Sequence, residues 1–240
     1  MAGERGLYRD HGIVLRTYKL GEADRIIVLM TRDHGKVRAV AKGVRKTKSR
    51  FGARLEPMSH ASLQLYLGRE LDTITQAESV DHFRPIRDAL DRVTKASAML
   101  EATEQLALER EPNIRLYQML LGALRSLAAH EAPLVVPGFF LKSLALEGFR
   151  PIVDGCAVCG EGEPLVAFDA DEGGLLCTQH RRGTAVSPEA VELLQAILGG
   201  RLVDALNTPA SRATTEVEHL ATRVFEHHIE RRLRSVTVLE

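Results

Sequence analysis

All three cysteines of this 240-residue chain fall inside one stretch, and a histidine completes the set. The stretch reads Cys156-Ala-Val-Cys159-Gly160, continues to Gly173-Gly174-Leu-Leu, and closes on Cys177-Thr-Gln-His180. A two-residue gap lets the thiolates of Cys156 and Cys159 face one ion from a tight turn, and Gly160 lets the backbone curl behind them. Cys177 and His180 repeat the spacing. Three sulfurs and one imidazole form a closed tetrahedral set suited to a structural Zn2+, with no position left for a reactive water. Two other readings compete: buried free thiols, and a redox pair at Cys156 and Cys159. The redox reading lacks its context, since no βαβ pattern surrounds the pair. His180 is the least constrained ligand, being one of nine histidines.

A second group of residues suggests binding rather than bond-breaking. Between Lys36 and Arg54 lie Lys36, Arg38, Lys42, Arg45, Lys46, Lys48, Arg50 and Arg54, with no acid among them and Phe51 in their midst. Clustered cations reward contact with phosphates through counterion release, and an aromatic ring within the cluster offers a face for a base. These nine residues are therefore the candidate nucleic-acid-binding set. The competing reading is a solvated loop with Phe51 in the core. Formal net charge is zero, because acids such as Glu161, Glu163, Asp169, Asp171 and Glu172 gather around the cysteines instead.

No phosphate-binding Gly-x-x-x-x-Gly-Lys, dinucleotide Gly-x-Gly-x-x-Gly or nucleophile-elbow Gly-x-Ser-x-Gly occurs, and His130-Glu131 lacks the second histidine of a zinc protease. A binding protein without catalytic residues is the first expectation, and a metal-dependent nuclease a weak second. The amino-terminal residues lack a signal-peptide core and the apolar runs are short, so the expected location is cytoplasmic, with no membrane partner. Reduced thiols suit that compartment.

The elements that must position these groups follow from periodicity. From about His11 to Phe83 apolar residues recur every second position: Ile13 and Leu15; Ile26, Val28 and Met30; Leu63, Leu65 and Leu67. Turns at Gly21 to Asp24, His34-Gly35 and Gly68 to Glu70 separate five short strands, for which an OB-fold barrel is the economical answer. After Pro85 the period becomes helical. Ile86, Leu90, Val93, Ala96, Leu100 and Ala107 predict one helix, Tyr117 to Leu127 a second, and Phe139 to Ala145 a third ending at Gly148. Ser187-Pro188-Glu189 starts another that halts at Gly199-Gly200, and a last helix is expected from about Arg212 to Arg234. The fold class is thus α+β: an OB-fold barrel over 1–82, then an all-α domain over 83–240. The metal-binding excursion at about 153–183 is inserted in it as a loop without secondary structure, pinned by the ion.

Three stretches together resemble the RecO family of bacterial recombination mediators: Gly21-Glu-Ala-Asp-Arg-Ile26 with His34-Gly35-Lys36, then Ala41-Lys-Gly-Val-Arg45, and Gly148-Phe-Arg-Pro151 leading into Cys156. His180 stands where some members have cysteine. The resemblance implies an OB-fold that binds single- and double-stranded DNA and a helical domain carrying the zinc site. It implies strand annealing within the RecF pathway and joint action with RecR, which helps RecA replace single-strand DNA-binding protein (SSB) on gapped DNA. The acidic-apolar tail of SSB is then expected in the groove of the helices between Leu90 and Leu127, near Arg115 and Arg125. A docking adaptor without direct annealing is the alternative.

Overall fold

Alternating apolar residues close a five-stranded barrel. The structure, a computed structural model, describes residues 6–46, 49, 51–130, 132–162 and 164–235. Strands β1 (Leu7–Leu20), β2 (Asp24–Thr31), β3 (Gly35–Ala41), β4 (His60–Tyr66) and β5 (Asp72–Asp81) hydrogen-bond in the closed order β1-β2-β3-β5-β4. Only β3 and β5 run parallel, and the order is OB-like. Inside lie Val14, Ile27, Leu29, Val37, Ala39, Leu63, Leu65 and Ile74. Their neighbours Ile26, Val28 and Met30 point the other way, and because Val28 and Met30 are also buried, β2 is covered on both faces. A bulge after Val14 shifts the phase of long β1, which lets it pair with β2 at one end and β4 at the other.

Helices α1 (Arg84–Arg87), α2 (Leu90–Leu106) and α3 (Ile114–Ala129) follow. The single helix expected from Ile86 to Ala107 is broken, because Ala89 is extended and does not carry the phase of Ile86 forward. Leu90 is consequently 83% exposed, whereas Ala96, Met99 and Leu100 are buried. The segment between α2 and α3 is tied to the barrel through Lys36. Its Nζ donates to the Glu104 carbonyl at 2.8 Å, and its backbone exchanges bonds with Leu108 and Arg110. Arg110 reaches the fully buried Asp72 carboxylate at 2.7 Å. Gly35 is indispensable to this arrangement: its φ is +67°, and a Cβ there would lie 1.8 Å from the Glu111 carbonyl.

The chain forms two compact units, one running to Ala128 and taking in Ser235, the other spanning Ala129–Arg234. In the second, α4 (Val135–Leu146), α5 (Pro188–Leu198), α6 (Leu202–Leu206) and α7 (Arg212–His228) surround an apolar centre where the Phe140 and Phe225 rings stack at 4.7 Å. Ser187 caps α5, as its position before Pro188 predicts, and Ser211 with Thr214 forms a reciprocal capping box on α7. Helix α7 stops short of the expected Arg234, since Glu230 takes a left-handed φ of +50° just beyond Ile229. Between α4 and α5 the excursion is not structureless. It builds a small sheet, β7-β6-β8, from β6 (Leu165–Asp169), β7 (Gly174–Cys177) and β8 (Thr184–Ala185). The glycine and acid spacing there conceals the period of two.

Candidate metal centre and nucleic-acid interface

Cys156 and Cys159 lie on a turn closed by Gly160, whose amide donates to the Cys156 carbonyl at 2.8 Å and whose φ is +80°. Gly155 permits the return of the chain, since a Cβ there would come within 2.9 Å of the Gly160 carbonyl. The turn is held on β7 by the Ala157 amide donating to Leu175. Cys177 ends that strand, and a single 3-10 turn, Thr178–His180, brings His180 back over it.

The four ligand atoms lie within 4.8 Å of one another. Cys159 Sγ and Cys177 Sγ are 3.8 Å apart, and His180 Nδ1 is 3.4 Å from Cys177 Sγ and 3.7 Å from Cys156 Sγ. A tetrahedron with Zn–S near 2.3 Å and Zn–N near 2.0–2.1 Å requires about 3.8 Å between sulfurs and about 3.6 Å between sulfur and nitrogen. The residues present fit one such ion, with Nδ1 as the imidazole donor. Burial pushes the Cys156 thiol up, but backbone hydrogen bonds from Cys177, Cys159 and Val158 outweigh it and hold the group down at about 6. Such bonds favour thiolate, the form that binds metal. His227 and His228 stand apart, the first 3.6 Å from Asp171 and the second against the Phe149 ring.

The basic stretch divides into distinct environments. Arg38 on β3, and Lys42, Arg45 and Lys46 just after it, reach solvent. Their turn is fixed from below: the Gly43 amide donates to Asp24 at 2.7 Å, and the Arg45 amide to the Ala23 carbonyl at 3.0 Å. Lys36 is instead committed to the Glu104 carbonyl, and burial lowers its pKa. Arg54 is half-buried and donates to the Phe51 carbonyl. Lys48 and Arg50 lie outside the described residues. Phe51 is the main correction, because at 1% exposure its ring fills the barrel core beside Leu55 and has no face free for a base. The short 3-10 turn that follows it, Gly52–Leu55, folds it inward.

Comparison with known proteins gives this geometry a context. The chain matches the family model described as "Recombination protein O N terminal" over residues 3–83 and the one described as "Recombination protein O C terminal" over 87–237. The chain belongs to the RecO family. RecO proteins are DNA repair and recombination proteins, and the relatives agree along the whole length. A DNA repair protein RecO of Nocardioides is 45% identical over 98% of this chain and 99% of its own. Those of Thermobifida fusca and Frankia casuarinae are 43% and 46% identical, each over 98% of both chains. The RecO models meet between residues 83 and 87, where the barrel gives way to α1. Among the described residues no helix is long and apolar enough to cross a membrane.

One surface feature lies outside the basic stretch. The outward side of β4 carries Tyr66, 50% exposed, and the outward side of β1 carries Arg9. The alternation of Leu63, Leu65 and Leu67 drew attention to the opposite side of β4, and Leu67 itself lies just past the strand, 45% exposed. Tyr66 was visible as the aromatic residue at the intervening position.

Proposed function

We propose that this chain is a DNA-binding recombination mediator, with the barrel of residues 1–82 as its DNA-binding domain and residues 83–240 as a helical domain stabilised by one structural Zn2+. Single- and double-stranded DNA approach the barrel at the solvent-facing cations Arg38, Lys42, Arg45 and Lys46. That set, on one strand of an OB-like barrel and the turn after it, is the observation that carries the reading. Neutralising two backbones at once lets complementary strands come together, so annealing requires no catalytic side chain and no nucleotide. Family membership supports the wider role, in which the chain acts with RecR to help RecA load on DNA coated by SSB, whose tail is received among the helices near Arg115 and Arg125.

The test is annealing of complementary oligonucleotides by the parent and by a variant with Lys42, Arg45 and Lys46 all changed to alanine. Annealing should fall in the variant even at protein concentrations that saturate one strand, since screening of the second backbone is what has been removed. Annealing at the parental rate would assign the chain a docking role without strand chemistry.

A further inference from the structure

The strand registers place five side chains in one row on the outside of the barrel. Ile26 pairs with Val40, Val40 with Thr73, Thr73 with Tyr66, and Tyr66 with Leu7. Each of the five is the immediate neighbour of an inward residue, namely Ile27, Ala39, Ile74, Leu65 and Tyr8, so all five point outward. The row crosses β2, β3, β5, β4 and β1 in turn. Its last two members are the most exposed, Tyr66 at 50% and Leu7 at 53%, and the other three are partly exposed. Four of the five are apolar or aromatic, which is unusual for the outside of a small barrel that faces water.

Cations flank this row, two of them at the spacing that puts them on the same face. Arg38 lies two residues before Val40 on β3 and Arg9 two residues after Leu7 on β1, while Lys42 stands in the turn just past the end of β3; all three are exposed. An apolar strip edged by separated cations matches the chemistry of an unpaired nucleic-acid strand: flat bases that lose water on stacking, and a phosphate at every step. A duplex does not match it, because its bases are already stacked on one another and show only their edges in the grooves, leaving no base face free for the strip.

We infer that this row is the platform for the bases of single-stranded DNA, with Tyr66 as its stacking residue and Arg38, Lys42 and Arg9 holding the backbone alongside. This deepens the DNA-binding reading and rests on it. The role that the basic stretch suggested for Phe51 passes to Tyr66 on β4, because Phe51 is needed inside. It also gives the barrel two modes: the cations alone hold a duplex, and cations with the row hold a single strand more tightly.

The chain has no tryptophan, so Tyr66→Trp introduces a single indole reporter into the full-length protein. Titration with an oligothymidylate should quench its emission in step with binding, and a duplex of the same length should leave it nearly unchanged. Tyr66→Ala should weaken oligothymidylate binding by roughly five- to a hundred-fold while keeping the salt slope, and Tyr66→Phe should bind as the parent does. The unfolding transition of each variant checks the fold, which a half-exposed position should leave intact. Full-strength, salt-dependent binding of the oligonucleotide with no change in the indole overturns the platform and leaves the DNA-binding reading standing. An indole that responds only to an added protein partner overturns it equally and makes the row a docking surface. Absence of salt-dependent DNA binding in the parent overturns both.

Discussion

Phe51 shows how one residue's setting decides its role. A ring at 1% exposure among Leu55, Leu63 and Ile74 contributes through packing, so Phe51→Ala should cost about 3–5 kcal/mol of stability. Urea denaturation measures that loss, and the salt dependence of DNA binding by the folded fraction should be unchanged. His60 is also buried, at 4% exposure, with Nε2 2.7 Å from the Tyr117 hydroxyl and no hydrogen-bond partner for Nδ1 among the described residues. Burial, reinforced by the nearby His11 and Arg125, lowers its pKa to about 4. The unfolded imidazole takes up its proton near the ordinary value of about 6.5, so between these two values the unfolded chain binds more protons than the folded one. Stability contributed by this site should therefore fall as pH drops from about 6.5 to about 4. His60→Gln, which keeps an amide for Tyr117 and removes the titration, should flatten that part of the curve of unfolding free energy against pH. An unaltered curve would show that His60 does not set it.

At the scale of elements, an ion held by Cys156, Cys159, Cys177 and His180 would tie the Cys156 turn to the end of β7 and to the His180 turn, three pieces otherwise joined by a few backbone bonds. A structural ion contributes on the order of ten kcal/mol of binding free energy to the folded form of such a segment. Chelation should therefore lower the melting temperature and loosen the β6–β8 region while the barrel's circular-dichroism signature persists, and Cys177→Ser should reproduce this. Cobalt substitution should give the absorption of a tetrahedral thiolate site; protein purified without chelator and found free of metal would contradict it. Much of this was legible in the residues, because Cys-x-x-Cys and Cys-x-x-His fix ligand geometry locally. The barrel was legible for a similar reason: alternation at period two is a local consequence of burying one strand face. Other features depended on distant contacts. The break at Ala89 left Leu90 outside, and the small sheet of the insert is written in only eleven residues of strand, four of them in β7. Gly35 could be read as a turn residue, but its closeness to Glu111 required the fold.

For the whole molecule, zero net charge conceals a separation by location. Cations collect on the barrel surface after β3, and acids collect around the cysteine-rich insert. The account's central claim is that the barrel cations meet DNA phosphates. The measurement that tests it most directly is the affinity of the parent and of the Lys42, Arg45 and Lys46 triple-alanine variant for one single-stranded oligonucleotide, across a series of salt concentrations. Each lost phosphate contact removes roughly 0.7 from the slope of log affinity against log salt, so the variant's slope should be flatter by about two, alike for every base sequence. Exposed turn residues of this kind change stability by no more than about half a kcal/mol, so the melting temperature should stay close to the parent's. Parallel lines for parent and variant would contradict the claim, and the DNA would then have to be sought elsewhere on the chain.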